Sequence, residues 1–115
     1  MENTEKHNAK VCELFHNAIE IIGKRWTGAI ISVLFSGPKR FSEFTEAIPE
    51  LSTRLLTERL KEMEDFGLIR REVSQERPIQ VIYSLTEKGE ALKPIMESVG
   101  KWAHDWNNSE KLNKV

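Results

Sequence analysis

The chain has one cysteine, Cys12. A single thiol cannot close a disulfide within its own subunit, which excludes a disulfide-stapled scaffold; that thiol acts alone, between subunits or with a small molecule. Long apolar runs are also missing. No stretch approaches the roughly 20 residues of a bilayer span, so a membrane-spanning helix is not expected. Residues Met1 to Asn8 are polar and of mixed charge, without the basic start and apolar stretch of a secretory signal, and point to a cytoplasmic protein. Neither charge is in large excess, with 17 Lys and Arg against 18 Asp and Glu. Bulk electrostatics therefore say nothing about nucleic acid, and only basic side chains gathered on one surface could. There is no phosphate loop, no nucleophile–base–acid set and no pair of carboxylates with a reason to titrate apart, so nothing supports an enzyme. Internal repeats and low-complexity segments are absent.

What is present suits one domain with a real core: 115 residues, 39% hydrophobic and 30% charged. Polar tails over residues 1–9 and 108–115 are expected to flank a domain over 10–107. Val11, Leu14, Phe15, Ala18, Ile19 and Ile22 recur at helical spacing, and Gly23 closes this first helix. Trp26 to Phe35 is apolar nearly all round, as in a helix enclosed by neighbours, and Ser36-Gly37-Pro38 stops it. Phe41 to Phe44 reads as a short strand or turn entering a third helix, with Ser42 as its cap and Glu43 near its positive end, before Pro49 ends it.

A longer helix follows. Ser52 is placed to cap it, Leu51 and Leu56 to staple its entry, and Gly67 to stop it in the left-handed conformation. Ile69 to Val73 and Ile79 to Leu85 alternate like strands with one inward face, joined by the turn Ser74 to Pro78. Thr86 can cap a last helix whose stripe runs through Ala91, Leu92, Ile95, Met96, Val99, Trp102, Ala103 and Trp106, kinked at Pro94. This order predicts a mainly α fold with a small β-hairpin, an α+β winged helix-turn-helix with N- and C-terminal dimerisation helices.

On the helix from Ser52, Leu55, Leu56, Leu60, Met63 and Phe66 share one side while Arg54, Thr57, Glu58 and Lys61 form a stripe on the other. In a recognition helix the first turns read base edges, which assigns Thr53, Arg54 and Thr57 to that work and Lys61 to the backbone. Glu58 would repel phosphates, so within the DNA-binding set it either accepts from a cytosine amino group or orients Arg54 or Lys61, the second being the favoured role. Arg59 falls on the apolar side and reads as a structural ion-pair partner. Arg70, Arg71 and Arg77 bracket the hairpin, with Arg77 at its tip best placed to hold phosphate or enter the minor groove. Lys39 and Arg40 precede the helix-turn-helix and could touch the backbone on its other side. The rival reading of this stripe is an ordinary solvated helix face.

Ile95, Val99, Trp102 and Trp106 offer more large apolar surface than a peripheral helix of a small domain needs. With Val11, Leu14 and Phe15 of the first helix they predict a two-fold homodimer, able to reach two half-sites one turn of DNA apart. The rival is packing within the same chain, which takes part of the stripe.

These residues also carry a family resemblance. Cys12, Gly23-Lys24-Arg25-Trp26, Gly37 to Phe44, Ile48 to Ser52, Leu56 to Glu64, Gly67 to Arg71, Pro78, Tyr83 to Gly89 and Trp102 resemble, in order, the HxlR family of bacterial transcription regulators, over about nine-tenths of the chain. The resemblance implies a homodimer on double-stranded operator DNA, a repressor first and an activator second. It further implies an N-terminal cysteine that some members use to sense oxidants or electrophiles, a place Cys12 occupies. Many members have proline directly after that cysteine; this chain has Glu13.

Cys12 is expected in the opening turn of the first helix, where the helix dipole and nearby Lys10 favour a reactive thiol; a buried, inert cysteine is the rival. His16 lies four residues on, but two ligands are too few for a closed metal site, and no metal or cofactor is expected. The alternative to a DNA-binding regulator is a winged-helix module that binds only protein. Salt dependence of DNA affinity separates the two.

Overall fold

The computed structural model describes residues 11–110, with side chains to residue 107. The tail expected over 1–9, and Lys10, lie outside the described residues, as do residues 111–115 of the tail expected over 108–115; residues 108–110 continue the last helix instead. Helix α1 spans Glu13–Ile22, and α2 Thr27–Leu34 follows; a two-residue strand, β1 Lys39–Arg40, leads into α3 Phe41–Ala47 and α4 Thr53–Asp65. Strands β2 Ile69–Val73 and β3 Val81–Leu85 form the hairpin, and α5 Glu87–Glu90 and α6 Lys93–Glu110 complete the chain.

Ser52 caps α4 as expected, its hydroxyl accepting from the Leu55 N–H at 3.1 Å. Leu51 and Leu56, the pair placed to staple the entry, are both buried. At the other end Gly67, at φ 86°, allows the Gly67 N–H to reach the Glu64 carbonyl and the Leu68 N–H the Met63 carbonyl. That pair of bonds is a Schellman ending, which satisfies carbonyls the helix itself leaves unpaired. Leu56, Leu60 and Met63 seat α4 on a core shared with Ile30, Ile31 and Leu34 of α2, Phe44 of α3, and Leu68, Ile69 and Leu85 at the base of the hairpin. Phe44 meets Tyr83 edge to face, with ring centroids 6.0 Å apart.

The structure moves several expected boundaries. α1 begins at Glu13, not Val11; Cys12 is its extended N-cap residue, and Glu13 takes the first turn, where an acid suits the positive helix end. α3 begins at Phe41, and Ser42 is not its cap: the Glu43 carboxylate reaches back to accept the Arg40 N–H at 2.7 Å. The strand expected at 41–44 lies instead at Lys39–Arg40, pairing with β3 to make a three-stranded antiparallel sheet in the order β1-β3-β2.

The hairpin closes at Ser74, whose N–H donates to the Gln80 carbonyl at 2.7 Å, so β3 begins at Val81 and Ile79 stays in the turn. Only Ile69 of β2 is buried, because the hairpin projects beyond the helices that cover its base. The last helix is two helices. Leu92 N–H turns back to the Gly89 carbonyl, and α6 restarts at Lys93. Pro94 is then the second residue of a new helix, where it has no hydrogen bond to lose, and the expected kink does not form.

Candidate nucleic-acid interface

With its inner face in the core, α4 turns Thr53, Arg54, Thr57, Glu58 and Lys61 outward; all five are exposed. The Arg54 side chain is 89% exposed and its Nε lies 3.6 Å from Glu58, the orienting contact expected of that acid. Thr57 Oγ1 donates to the Thr53 carbonyl at 2.8 Å. That bond occupies the hydroxyl proton and leaves the methyl and oxygen lone pairs for a base edge. Lys61 is held by Asp65, not Glu58, at 3.0 Å. The hydrogen bond to Asp65, and then its charge, raise the Lys61 ammonium above the usual lysine range.

The basic residues around α4 fall into separate groups. Arg70 pairs with Ser84 and Arg71 with Tyr83 in the β2–β3 ladder, so alternation sends the two arginines to opposite faces of the sheet. Arg77 is exposed in the turn between the strands. Lys39 Nζ donates to Ser36 Oγ at 2.9 Å and the Gly37 carbonyl at 3.1 Å, bracing the end of α2. Arg40 lies beside Glu43, whose carboxyl is held below the usual glutamate range chiefly by the Arg40 backbone N–H.

Arg59 is the strut that its angle on the helix predicts. Its Nε donates to the Arg25 carbonyl at 3.0 Å, its Nη1 lies 3.4 Å from Glu62, and only 15% of its side chain is exposed. Glu62 also meets Lys24 Nζ at 3.1 Å. Sequence reasoning did not assign Lys24 or Glu62 a role.

A second set of contacts it missed clamps the end of α4. Lys88 Nζ reaches the Phe66 carbonyl at 2.6 Å, Thr86 Oγ1 donates to the Gly67 carbonyl at 2.6 Å, and the Thr86 N–H reaches Leu68 at 3.0 Å. Gly89 lets α5 approach so closely that a Cβ there would lie 2.2 Å from the Leu68 carbonyl oxygen. The signal for this clamp was Thr86-Glu87-Lys88-Gly89, a cap followed by a glycine with no helix to end.

The residues expected to dimerise share one character. Val11, Leu14, Phe15, Ile95, Val99, Trp102 and Trp106 are all at least half exposed. α1 has no fully buried residue, and only Ile21 and Ile22 at its end pack against the core; Leu92 and Met96 turn partly inward, Leu92 against the core. A shallow apolar hollow lined by Ile95, Val99 and Trp102 runs along α6. Cys12 is exposed, at the head of α1.

A recognition helix seated on a core, a strand pair beside it and a braced turn before it define a winged helix-turn-helix protein. The chain belongs to the HxlR-like helix-turn-helix family, whose model matches residues 21–111. It is similar to the HTH-type transcriptional regulators YodB (48% identical over 93 residues; 81% of this chain, 83% of YodB) and YvaP (45% over 100 residues; 87% and 93%), both of Bacillus subtilis. Reduced YodB of B. subtilis superposes with a TM-score of 0.76 at 48% identity, over 82% of this chain and 92% of that one. The redox regulator HypR in its reduced form gives 0.80 at 33% identity, over 89% and 100%. YodB has also been solved bound to quinone and after diamide treatment.

Proposed function

We propose that the protein is a homodimeric transcription regulator that reads paired DNA half-sites with α4 and responds to oxidants or electrophiles through Cys12. The observation that carries the DNA-reading part is the division of α4: Leu56, Leu60 and Met63 locked in the core, Thr53, Arg54 and Thr57 outward on the first turns. Buried anchoring on one side fixes where the exposed side points, which base reading requires. Arg54 can bond a guanine edge with two hydrogens, Thr57 can meet a thymine methyl, and Arg77 in the wing can hold phosphate. Its action is binding, with no chemistry performed on the DNA. The exposed apolar faces of α1 and α6 supply the dimer, since a patch of this kind on an isolated subunit favours association.

Cys12 joins this reading because it is exposed at the head of a helix assigned to the dimer interface. A modification there would alter the pairing of subunits and so the separation of the two reading helices. The relatives YodB and HypR, solved in states named quinone-bound and oxidised, favour a thiol-reactive signal.

DNA titrations across a range of salt concentrations test the main reading. A regulator that neutralises several phosphates loses affinity steeply as salt rises, whereas a protein-only module shows no such slope. Sedimentation showing only monomer at micromolar concentration would remove the dimer. Intact-mass spectrometry after quinone treatment tests the sensor: an adduct on Cys12 with lowered DNA affinity is expected, and an unmodified Cys12 with unchanged affinity ends that part.

A further inference from the structure

We infer that Glu62 and Arg59 set the spacing at which a dimer accepts its two half-sites, by tying α4 to the joint from which α1 departs. The inference rests on the paired half-site reading above. No residue of α1 is fully buried, only Ile21 and Ile22 at its end pack against the core, and Leu14 is 81% exposed, so packing holds the end of α1 but does not by itself fix the direction of the rest. The joint Gly23 to Trp26 must do so.

That joint is stiff. Gly23 N–H closes on the Ile19 carbonyl at 2.8 Å, and Thr27 N–H on the Lys24 carbonyl at 3.1 Å. A Cβ at Gly23 would lie 2.7 Å from the Ile19 oxygen, so the turn tolerates no larger residue without shifting. Trp26 sits at φ 79°, a conformation that bulky residues keep only where their surroundings enforce it. α4 grips two successive residues of this joint: the Lys24 ammonium through Glu62, and the Arg25 carbonyl through Arg59. The Arg59–Glu62 contact at 3.4 Å joins the two grips into one network.

In a dimer built on α1, the direction of α1 relative to α4 sets how far apart the two reading helices lie. Two-fold symmetry applies any loosening twice. Such partly exposed ion pairs add little to stability, so losing them should free the angle without unfolding the domain. Glu62 and Arg59 are thus positioning residues, which touch no DNA.

The test uses duplexes built from the half-site that the wild-type protein selects from a random-sequence pool. One series carries two half-sites with centres about 10 base pairs apart or moved from that spacing one base pair at a time; a control carries a single half-site. The wild type is expected to prefer one spacing. Glu62→Gln should flatten that preference by roughly three- to tenfold while leaving single half-site affinity unchanged. Arg59→Lys, which keeps the charge but loses the geometry of the Nε bond, should flatten it as well. A Glu62→Gln protein that keeps the wild-type spacing profile overturns the inference. So does an equal loss on every duplex in step with a lowered melting temperature, which marks a purely structural role. A wild type with no spacing preference overturns the paired half-site reading itself and this inference with it.

Discussion

Lys88 meets Phe66 twice: its Nζ donates to the Phe66 carbonyl at 2.6 Å and lies 3.9 Å above the Phe66 ring. A cation placed on the last carbonyls of α4 complements the negative helix end, and the ring face adds a second attraction. Lys88→Met keeps the aliphatic stem but loses both, and is expected to cost about 1 kcal/mol in thermal unfolding. Lys88→Arg should recover part of it.

Gly89 allows α5 to lie against the turn after α4. A methyl group there would meet the Leu68 carbonyl oxygen at 2.2 Å and Leu85 Cδ2 at 2.9 Å, the first being backbone that cannot step aside. Gly89→Ala is therefore expected to destabilise the domain by about 2 kcal/mol or more, although alanine normally favours a helix. Chemical denaturation measures it directly.

Arg54 and Arg77 should separate reading from holding. Arg54→Ala is expected to cost about 1–3 kcal/mol on the selected site and much less on scrambled DNA, lowering the ratio of the two affinities. Arg77→Ala should weaken both alike and reduce the salt slope by about one. Equal ratios for wild type and Arg54→Ala would remove that side chain from the readers.

Thr27 is 1% exposed, and its Oγ1 has no hydrogen-bond partner among the described residues. Such a hydroxyl costs free energy that an isosteric apolar group does not. Thr27→Val is expected to stabilise the protein by about 1 kcal/mol, seen as a rise in melting temperature.

Glu43 contributes a pH dependence of known sign. Its folded-state pKa is depressed, first by the Arg40 backbone N–H, so its stabilising contribution is present above the ordinary glutamate range and is lost as pH falls through the depressed value. Glu43→Gln should therefore trail the wild type in stability at neutral pH and converge with it in acid. Unfolding curves collected across that range check both limbs.

Local rules accounted for much of the architecture. The Ser52 cap, the Gly67 stop and the inner face of α4 followed from residue type and a period of 3.6, and Arg59 was recognisable as a strut by angle alone. Local rules failed where two chemistries competed for one role. At α3, Ser42 looked like the cap, but Glu43 reaching back to Arg40 served instead. In the last helical stretch, Pro94 announced a kink; the chain broke earlier because the α5 turn, fitted against Leu68, ended helix before the proline was reached.

The site divided in the same way. Which residues of α4 face outward was set by the order of apolar side chains, because a helix with one apolar side has only one way to bury it. That Lys39 is occupied with Ser36 and Gly37, and that Lys24, Glu62 and Lys88 brace α4, could be decided only by the folded chain. Periodicity assigns a residue to a face, but a contact between residues 22 or 34 positions apart, such as Lys88 with Phe66 or Arg59 with Arg25, exists only once packing has brought the elements together. The amino-acid order by itself determined most of the elements and which side of α4 faces outward; tertiary packing decided where several elements begin and how firmly, and at what angle, that outward side is held.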